Sequence, residues 1–440
     1  MNPMPWLLSA ALLSHPAAAE LSVTPGTGGQ LVIRGRLALP EQELDGRLVL
    51  AGDRIVCAGA DCAEPADATV LQVNDGLILP GFIDAHNHVA YNALPKWAPP
   101  KRYQNRAQWQ RAAAYKAFKR PYDQLKRSGL SCEMVKYGEA KALLSGVTTI
   151  QGSPAGRCLQ GLVRNAENPQ SGLPVSSAHV RTFILDVGGA PKIDWNATDA
   201  FLIHVAEGVD AAALAEFATL KSKGLLTAGT AIIHGTAFGD EEFRQMGAVG
   251  SKLIWSPQSN LALYGQTTRV DLALRHGVPV SLGVDWNPTG SDNLFDELRV
   301  ADRVNREQFA GAIAEQDWLA MITRHPSQAL ALDSYIGALR AGLKADIVIL
   351  SGARASVGQT LLNARLRDVA AVLVDGRLLY GDRDAMTAAG RADCDALTVD
   401  GAPKLLCMQT PGVPKGGQRL DEVRAALLKV YPGVAPLAAP

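Results

Sequence analysis

Gly81-Phe82-Ile83-Asp84-Ala85-His86-Asn87-His88 closes an apolar run that begins at Leu77, and it sets two imidazoles two residues apart. On a strand, residues i and i+2 share a face, so His86 and His88 can converge on one ion. The pair alone is weak evidence. An apolar segment ending in His or Asp returns at three later places, however: Phe201-Leu202-Ile203-His204, Ala231-Ile232-Ile233-His234, and the run from Val278 to Asp285. Strands whose C-terminal ends meet would bring these side chains together.

Outward from that stretch, residues 78–333 alternate short apolar segments with amphipathic ones, the pattern of a parallel α/β sheet. The periodicity predicts strands over 77–84, 147–151, 162–165, 180–185, 201–205, 231–233, 252–255 and 278–284, the eight that a TIM-like (β/α)8 barrel requires. Apolar residues three and four apart predict outer helices over 210–223, 294–304 and 315–323. Before the barrel, residues 20–77 read as β-rich, with strands over 30–39 and 47–56, a turn at Gly52-Asp53, and 70–73. Residues 334–385 return the same character in 345–350, 369–374 and 377–380, with a hairpin signal at Asp375-Gly376. The two ends are expected to pair into a small composite β-sandwich. Residues 386–440, rich in Gly, Ala and Pro, are expected to form an extended tail with one helix over 420–430.

In a parallel barrel the residues at the C-terminal strand ends line the active site. His86 and His88 fall at the end of the first strand, His204 of the fifth, His234 of the sixth and Asp285 of the eighth. Imidazole and carboxylate suit one divalent ion, Zn2+ first, with Fe2+ and Mn2+ left open because geometry and availability choose among them. Glu207 follows His204 by three residues, and a carboxylate there could carry a proton from water to a leaving nitrogen. Asp285 could share the base role. Gln151, Arg164 and Trp286 sit at or just past strand ends as candidate substrate contacts, with packing an equal alternative. His15, His179, His276 and His325 read as leader, surface or capping residues. The segment 91–127 holds seven aromatic residues among many Lys and Arg, either covering the pocket or packing as a basic solvated helix.

Bulk composition narrows the class. The chain has 440 residues, 47% of them hydrophobic, and 43 basic residues balance 43 acidic ones. That is enough for more than one core, and it gives no overall field favouring nucleic acid or an anionic membrane as partner. A small-molecule substrate is the expected partner, and self-association stays open. Trp6 to Leu13 followed by Pro16-Ala17-Ala18-Ala19 reads as a signal peptide, residues 1–19, cut after Ala19. No run reaches the ~20 apolar residues of a membrane helix. In an oxidising periplasmic or secreted setting, the six cysteines would close as Cys57–Cys62, Cys132–Cys158 and Cys394–Cys407, a pairing favoured by short loops.

Taken together, Leu79-Pro80-Gly81-Phe82-Ile83-Asp84-Ala85-His86-Asn87-His88, Ser145-Gly146-Val147-Thr148-Thr149, His204-Val205-Ala206-Glu207, His234, Ser256-Pro257-Gln258-Ser259-Asn260, Leu282-Gly283-Val284-Asp285 and the run from Ile336 to Asp346 resemble the amidohydrolase superfamily of metal-dependent hydrolases. The likeness spans nearly the whole mature chain and is strongest to the mononuclear, deaminase-like branch, with similarity also to imidazolonepropionase-related members. It implies His86, His88, His204 and Asp285 as ligands, His234 as the residue that orients water, and Glu207 as proton shuttle. Binuclear members place a carboxylated lysine at the end of strand four; here the nearest downstream lysine, Lys192, lies well into the loop, which favours one metal. Gly208 after Glu207, and Trp286-Asn287-Pro288 after Asp285, depart from familiar deaminases where substrate would sit. The resemblance implies hydrolysis of a non-peptide carbon–nitrogen bond, by deamination or by opening of an amide. Loss of a halide from a ring would use the same residues, and a non-catalytic exported binding protein is the alternative of another class.

Overall fold

The computed structural model describes residues 21–152, 161–168, 172–184, 186–410, 412–413 and 415–438. The expected leader and its cut after Ala19 lie outside the described residues. Eight parallel strands carry the centre of the chain: β1 (Phe82–Asp84), β2 (Val147–Ile150), β3 (Arg164–Asn165), β4 (Val180–Phe183), β5 (Ala200–Val205), β6 (Thr230–His234), β7 (Lys252–Trp255) and β8 (Val280–Leu282). They form two parallel sheets, β1-β2-β3 and β4-β5-β6-β7-β8. Past the ends of β1 and β8, Asp285 N–H donates to the His86 carbonyl at 2.8 Å and His88 N–H to the Asp285 carbonyl at 2.6 Å, joining the two sheets. Among the described residues no ladder joins β3 to β4. Every residue of β5 and β6 is buried, as parallel strands covered on both faces must be.

The first predicted strand divides in two. Leu77–Pro80 ends a long strand, Thr69–Pro80, that pairs antiparallel with Ile347–Ser351, and only Phe82–Asp84 belongs to the barrel-like sheets. Gly81 makes the transfer: its N–H donates to the Asp346 carbonyl at 2.8 Å, and a Cβ there would stand 2.2 Å from Thr148 Oγ1. A continuous apolar run conceals this junction because both sheets bury it.

Strands from both ends of the chain share one ten-stranded sheet, in the order Asp395–Val399, Ala402–Leu406, Arg377–Asp382, Val369–Val374, Ile347–Ser351, Thr69–Pro80, Gln30–Ala38, Glu43–Ala51 and Arg54–Gly59, with Leu21–Thr24 also on Thr69–Pro80. The ends pair as the pattern anticipates, but hydrogen bonds link them as a single sheet. The tail differs from expectation. Its first part is a hairpin turning at Asp400 (φ 47°) and Gly401 (φ 82°), which extends the sheet. The helix Leu420–Val430 packs on the helix Ser131–Leu143, and Tyr137 hydroxyl donates to the Ala435 carbonyl at 2.6 Å. Disulfides close Cys57–Cys62 and Cys394–Cys407. The third expected pair involves Cys158, outside the described residues.

The insertion after β1 is three short helices, Arg106–Arg111, Ala113–Phe118 and Arg120–Arg127. Their aromatic side chains pack with Tyr264 and Trp286 over the C-terminal mouth of the strands, so this segment covers the site. Among the described residues no helix is long and apolar enough to cross a membrane.

Candidate active site

The four histidines and Asp285 meet at the strand ends. His86 Nε2 lies 3.0 Å from His204 Nε2, 3.4 Å from His88 Nε2 and 3.4 Å from Asp285 Oδ1, and His88 Nε2 lies 3.5 Å from the same oxygen. His234 joins His86 and His204 with its ligand atom within 4.8 Å of theirs. Donors spread tetrahedrally at ~2.1 Å around one ion stand ~3.4 Å apart, so this spacing suits a single divalent cation. The backbone turns sharply to aim the groups: His234 (φ 73°), the last residue of β6, and Asp285 (φ 66°), three residues past β8, both take the left-handed conformation. Side chains pay a steric cost there, and such residues cluster where a site holds them.

Supporting contacts bear on the ring nitrogen that two of the histidines offer. His86 Nδ1 shares a 3.0 Å hydrogen bond with Ser256 Oγ, and His234 Nδ1 stands 3.0 Å from Asn260 Oδ1, which assigns its proton to Nδ1 and leaves Nε2 facing the cluster. Burial disfavours the imidazolium: it brings His88 down to about 4 and His234 to about 3, and holds His86 and His204 well below the ordinary value. Neutral imidazoles are the ligand form. Burial raises Asp285 and Glu207. A dication among them would oppose that pressure.

Glu207 is buried beside the cluster. Its Oε1 accepts from Tyr264 hydroxyl at 2.7 Å, Tyr264 in turn accepts from Trp109 Nε1 at 2.8 Å, and Oε2 lies 3.7 Å from His234 Nε2. Burial first, then the charge of Glu207, holds the Tyr264 proton in place, so the phenol remains a donor. Gly208 has a steric reason: the chain at Gln104-Asn105 crosses so closely that a Cβ would stand 2.5 Å from the Gln104 carbonyl oxygen. The Arg106 N–H donates to the Glu207 carbonyl at 2.9 Å, and Val209 N–H to the Gln104 carbonyl at 2.7 Å, which pins the aromatic insertion to the Glu207 loop.

The other candidates separate. Trp286 lines an inner cavity of about 180 Å3 together with His88, Glu207, Tyr91, Trp109 and Tyr115. Gln151 does not line it; its amide donates to Glu167 Oε1 at 2.9 Å and Thr182 Oγ1 at 2.8 Å. Arg164 turns away from the cluster, pairing with Asp346 and Asp375 at 2.5 Å each. Of the remaining histidines, His179 bonds the Ala331 carbonyl and Asp199, His276 bonds Asp240, and His325 bonds the Val280 carbonyl. Three residues without an assigned role in the sequence reading belong here: Arg106, Tyr264 and Asn260. Asn260 lay in the quoted Ser256–Asn260 landmark, whereas Arg106 carries no local signal among the cations around it.

A chain of buried amides fastens the two ligand loops together. Asn92 Nδ2 donates to Asn87 Oδ1 at 2.9 Å, Asn87 Nδ2 to Asp84 Oδ2 at 2.7 Å, and Asp84 Oδ1 accepts from Val284 N–H at 3.1 Å. From the other side Asn287 N–H donates to Asn92 Oδ1 at 2.9 Å, and Lys141 Nζ to Asn287 Oδ1 at 2.7 Å. Asn92 is the hub. Asn92→Ala is expected to weaken divalent-metal binding, read with zinc as the probe, about 10–100-fold, the usual effect of losing a group that orients ligands. Chelator competition reads this directly, and an unchanged zinc affinity would remove the hub from metal positioning.

A parallel-sheet hydrolase scaffold with a histidine-rich divalent-metal centre is the class this fold and site define. The model of the Amidohydrolase family matches residues 200–380. The 5-methylthioadenosine/S-adenosylhomocysteine deaminase 1 of Syntrophus aciditrophicus (strain SB) is 24% identical over 402 residues, covering 78% of this chain and 89% of that protein. Two solved structures are similar in fold: the zinc complex of atrazine chlorohydrolase from Arthrobacter aurescens TC1 (TM-score 0.61, 18% identity, 79% of this chain and 95% of that one), and a zinc-bound adenosine deaminase from Xanthomonas campestris (TM-score 0.60, 17% identity, 82% and 97%). Over residues 200–380 the chain is thus similar to the amidohydrolase family, and its fold is that of the zinc-bound hydrolases and deaminases it matches.

Proposed function

We propose that the protein hydrolyses a carbon–nitrogen bond, other than a peptide bond, in a small cyclic or heterocyclic substrate, with deamination as the first reading. The observation that carries it is the Glu207 carboxylate, buried 3.7 Å from His234 and tied to Tyr264 at the edge of the donor cluster. His86, His88, His204 and Asp285 would hold one divalent ion, taken as Zn2+ because imidazole and carboxylate suit it and because similar structures bind zinc. When bound, the ion lowers the pKa of water and so supplies a nucleophile near neutral pH. Glu207 takes the proton that water sheds and delivers it to the nitrogen, the carbon–nitrogen bond breaks as the carbon–oxygen bond forms, and an amino group leaves as ammonia. With its proton on Nδ1 and held by Asn260, neutral His234 would accept from the water O–H at Nε2 and so orient it. Trp286, Trp109 and Tyr91 exclude solvent and offer flat faces to a ring.

This reading divides the chain into a hydrolase unit, expected over 78–333 and begun by the transfer at Gly81, and β-rich parts expected over 20–77 and 334–385, to which the hairpin 395–406 is added. It places the protein in the periplasm or outside the cell, supported by the two disulfides among the described residues. Purified protein is expected to carry one equivalent of zinc by metal analysis and to release ammonia from at least one aminated heterocycle in a panel. A panel yielding only carboxylate and amine would replace deamination by amide opening, chloride release would replace it by dehalogenation, and a metal-free protein inert after zinc addition would overturn the hydrolase reading.

A further inference from the structure

Ten of the chain's Lys and Arg residues fall in the 37-residue segment 91–127, against one acidic residue, Asp123. A protein of zero formal net charge has thus gathered a quarter of its cations into the element that covers its active site. Most are exposed at the surface. Two of them, Lys119 and Lys126, stand over the ring of Tyr122 at 5.4 and 5.5 Å from its centroid. Tyr122 lines an outer cavity of about 600 Å3, as does Arg181, and this cavity shares His88, Tyr91 and Ile184 with the inner one. The acidic group of the outer cavity, Glu167, is already engaged by the Gly152 N–H, Gln151 and Thr182. The approach to the metal centre is therefore cationic.

One cation of the segment is inside. Arg106 is buried and lines the inner cavity together with Trp109, Tyr115 and Trp286. Its Nη1 donates to the Ile184 carbonyl at 3.4 Å, the one side-chain hydrogen bond it makes among the described residues, and its Nε stands 3.7 Å from Glu207 Oε2, beyond hydrogen-bond reach. Guanidinium offers five donors in a planar fork matched to a carboxylate. Glu207 balances its charge in part, and the guanidinium still lines the cavity with donor capacity that a ligand's carboxylate could take over from water.

We infer that the substrate is an anion, a small flat ring bearing a carboxylate or an equally acidic group, which pairs with Arg106 inside the aromatic cavity while the basic segment draws it in. The inference deepens the hydrolase reading by naming the charge of its substrate. Electrostatic steering by exposed cations raises the encounter rate and fades with salt, whereas a buried fork sets affinity. The two contributions are separable.

The test uses binding, which needs no turnover. Full-length zinc-stripped protein is titrated with benzoate and with its neutral isostere benzamide, following Trp109 and Trp286 fluorescence, and thermal melts verify that each variant is folded. Benzoate is expected to bind at least about tenfold more tightly than benzamide, and R106Q to remove that preference while leaving benzamide within about twofold. R106K, which keeps the charge and loses the fork, is expected to fall between. Equal affinity for the two probes, or a parallel loss of both in R106Q, would overturn the inference, as would benzoate binding that appears only when zinc is restored and ignores R106Q. If benzoate binds through Arg106 but no ring compound in the panel is hydrolysed, the hydrolase reading fails and this one stands.

Discussion

Glu207→Gln is expected to retain zinc at the wild-type stoichiometry and to lose about 10²–10⁴-fold in kcat, the range that proton transfer by a placed side chain contributes. The substitution keeps the carbonyl oxygen that accepts from Tyr264, so the hydrogen bond at 2.7 Å and the tie to Trp109 survive. It removes the group able to take a proton. Because Gln preserves shape, KM should move little, and a fall confined to kcat identifies a step made only in the transition state. His204→Ala is the contrasting variant: it deletes a donor 3.0 Å from His86 and is expected to lose both zinc and turnover. A Glu207→Gln enzyme as active as wild type would refute the shuttle, and one that loses its metal would move Glu207 into the ligand set.

Donor residues are legible in a sequence when their placement rests on local geometry. His86 and His88 needed only the alternation of a strand, and His204, His234 and Asp285 needed only the rule that a parallel strand ends at the mouth. The same rule leaves Arg164 open between substrate contact and packing, and its ion pairs with Asp346 and Asp375 are the second. β3 is two residues long, and those residues, Arg164 and Asn165, point to opposite faces, so closeness to a strand end does not fix which side chain reaches the mouth. Gly81 was hidden for a related reason, since Leu77–Pro80 and Phe82–Asp84 are both fully buried and read as one run although they serve two sheets. The tail hairpin is another kind of miss. Asp400-Gly401 is an ordinary turn signal, masked by the Gly-, Ala- and Pro-rich composition of residues 386–440. Tyr264 and Arg106 carry no such local signal: each reaches Glu207 from an element remote in sequence, Arg106 through the chain crossing at Gly208 and Tyr264 from the end of the helix Pro257–Tyr264.

Arg164→Met is expected to cost about 3–5 kcal/mol of stability, the usual loss when one member of a buried charge cluster is removed and its partners stay charged. Arg164 is fully buried between Asp346, which precedes the strand Ile347–Ser351, and Asp375, in the turn before Arg377–Asp382. Lys344 extends the cluster, reaching Asp375 at 3.1 Å and Asp53 at 2.5 Å. Five charges thus join the parallel strands to both halves of the ten-stranded sheet. Methionine fills comparable volume, so the loss falls chiefly on Asp346, which burial already pushes towards its neutral form and which Arg164 counteracts. The double variant Arg164→Met/Asp346→Leu should regain part of the loss, because removing both partners leaves less uncompensated charge. Urea midpoints of the wild type and the two variants measure this, and a single variant within about 1 kcal/mol of wild type would show that the cluster is not needed for stability. At temperatures where the single variant stays folded, KM is expected to equal that of wild type. A raised KM would return Arg164 to the substrate site, whereas an unchanged one leaves its charge to the junction between the two sheets, where the geometry puts it.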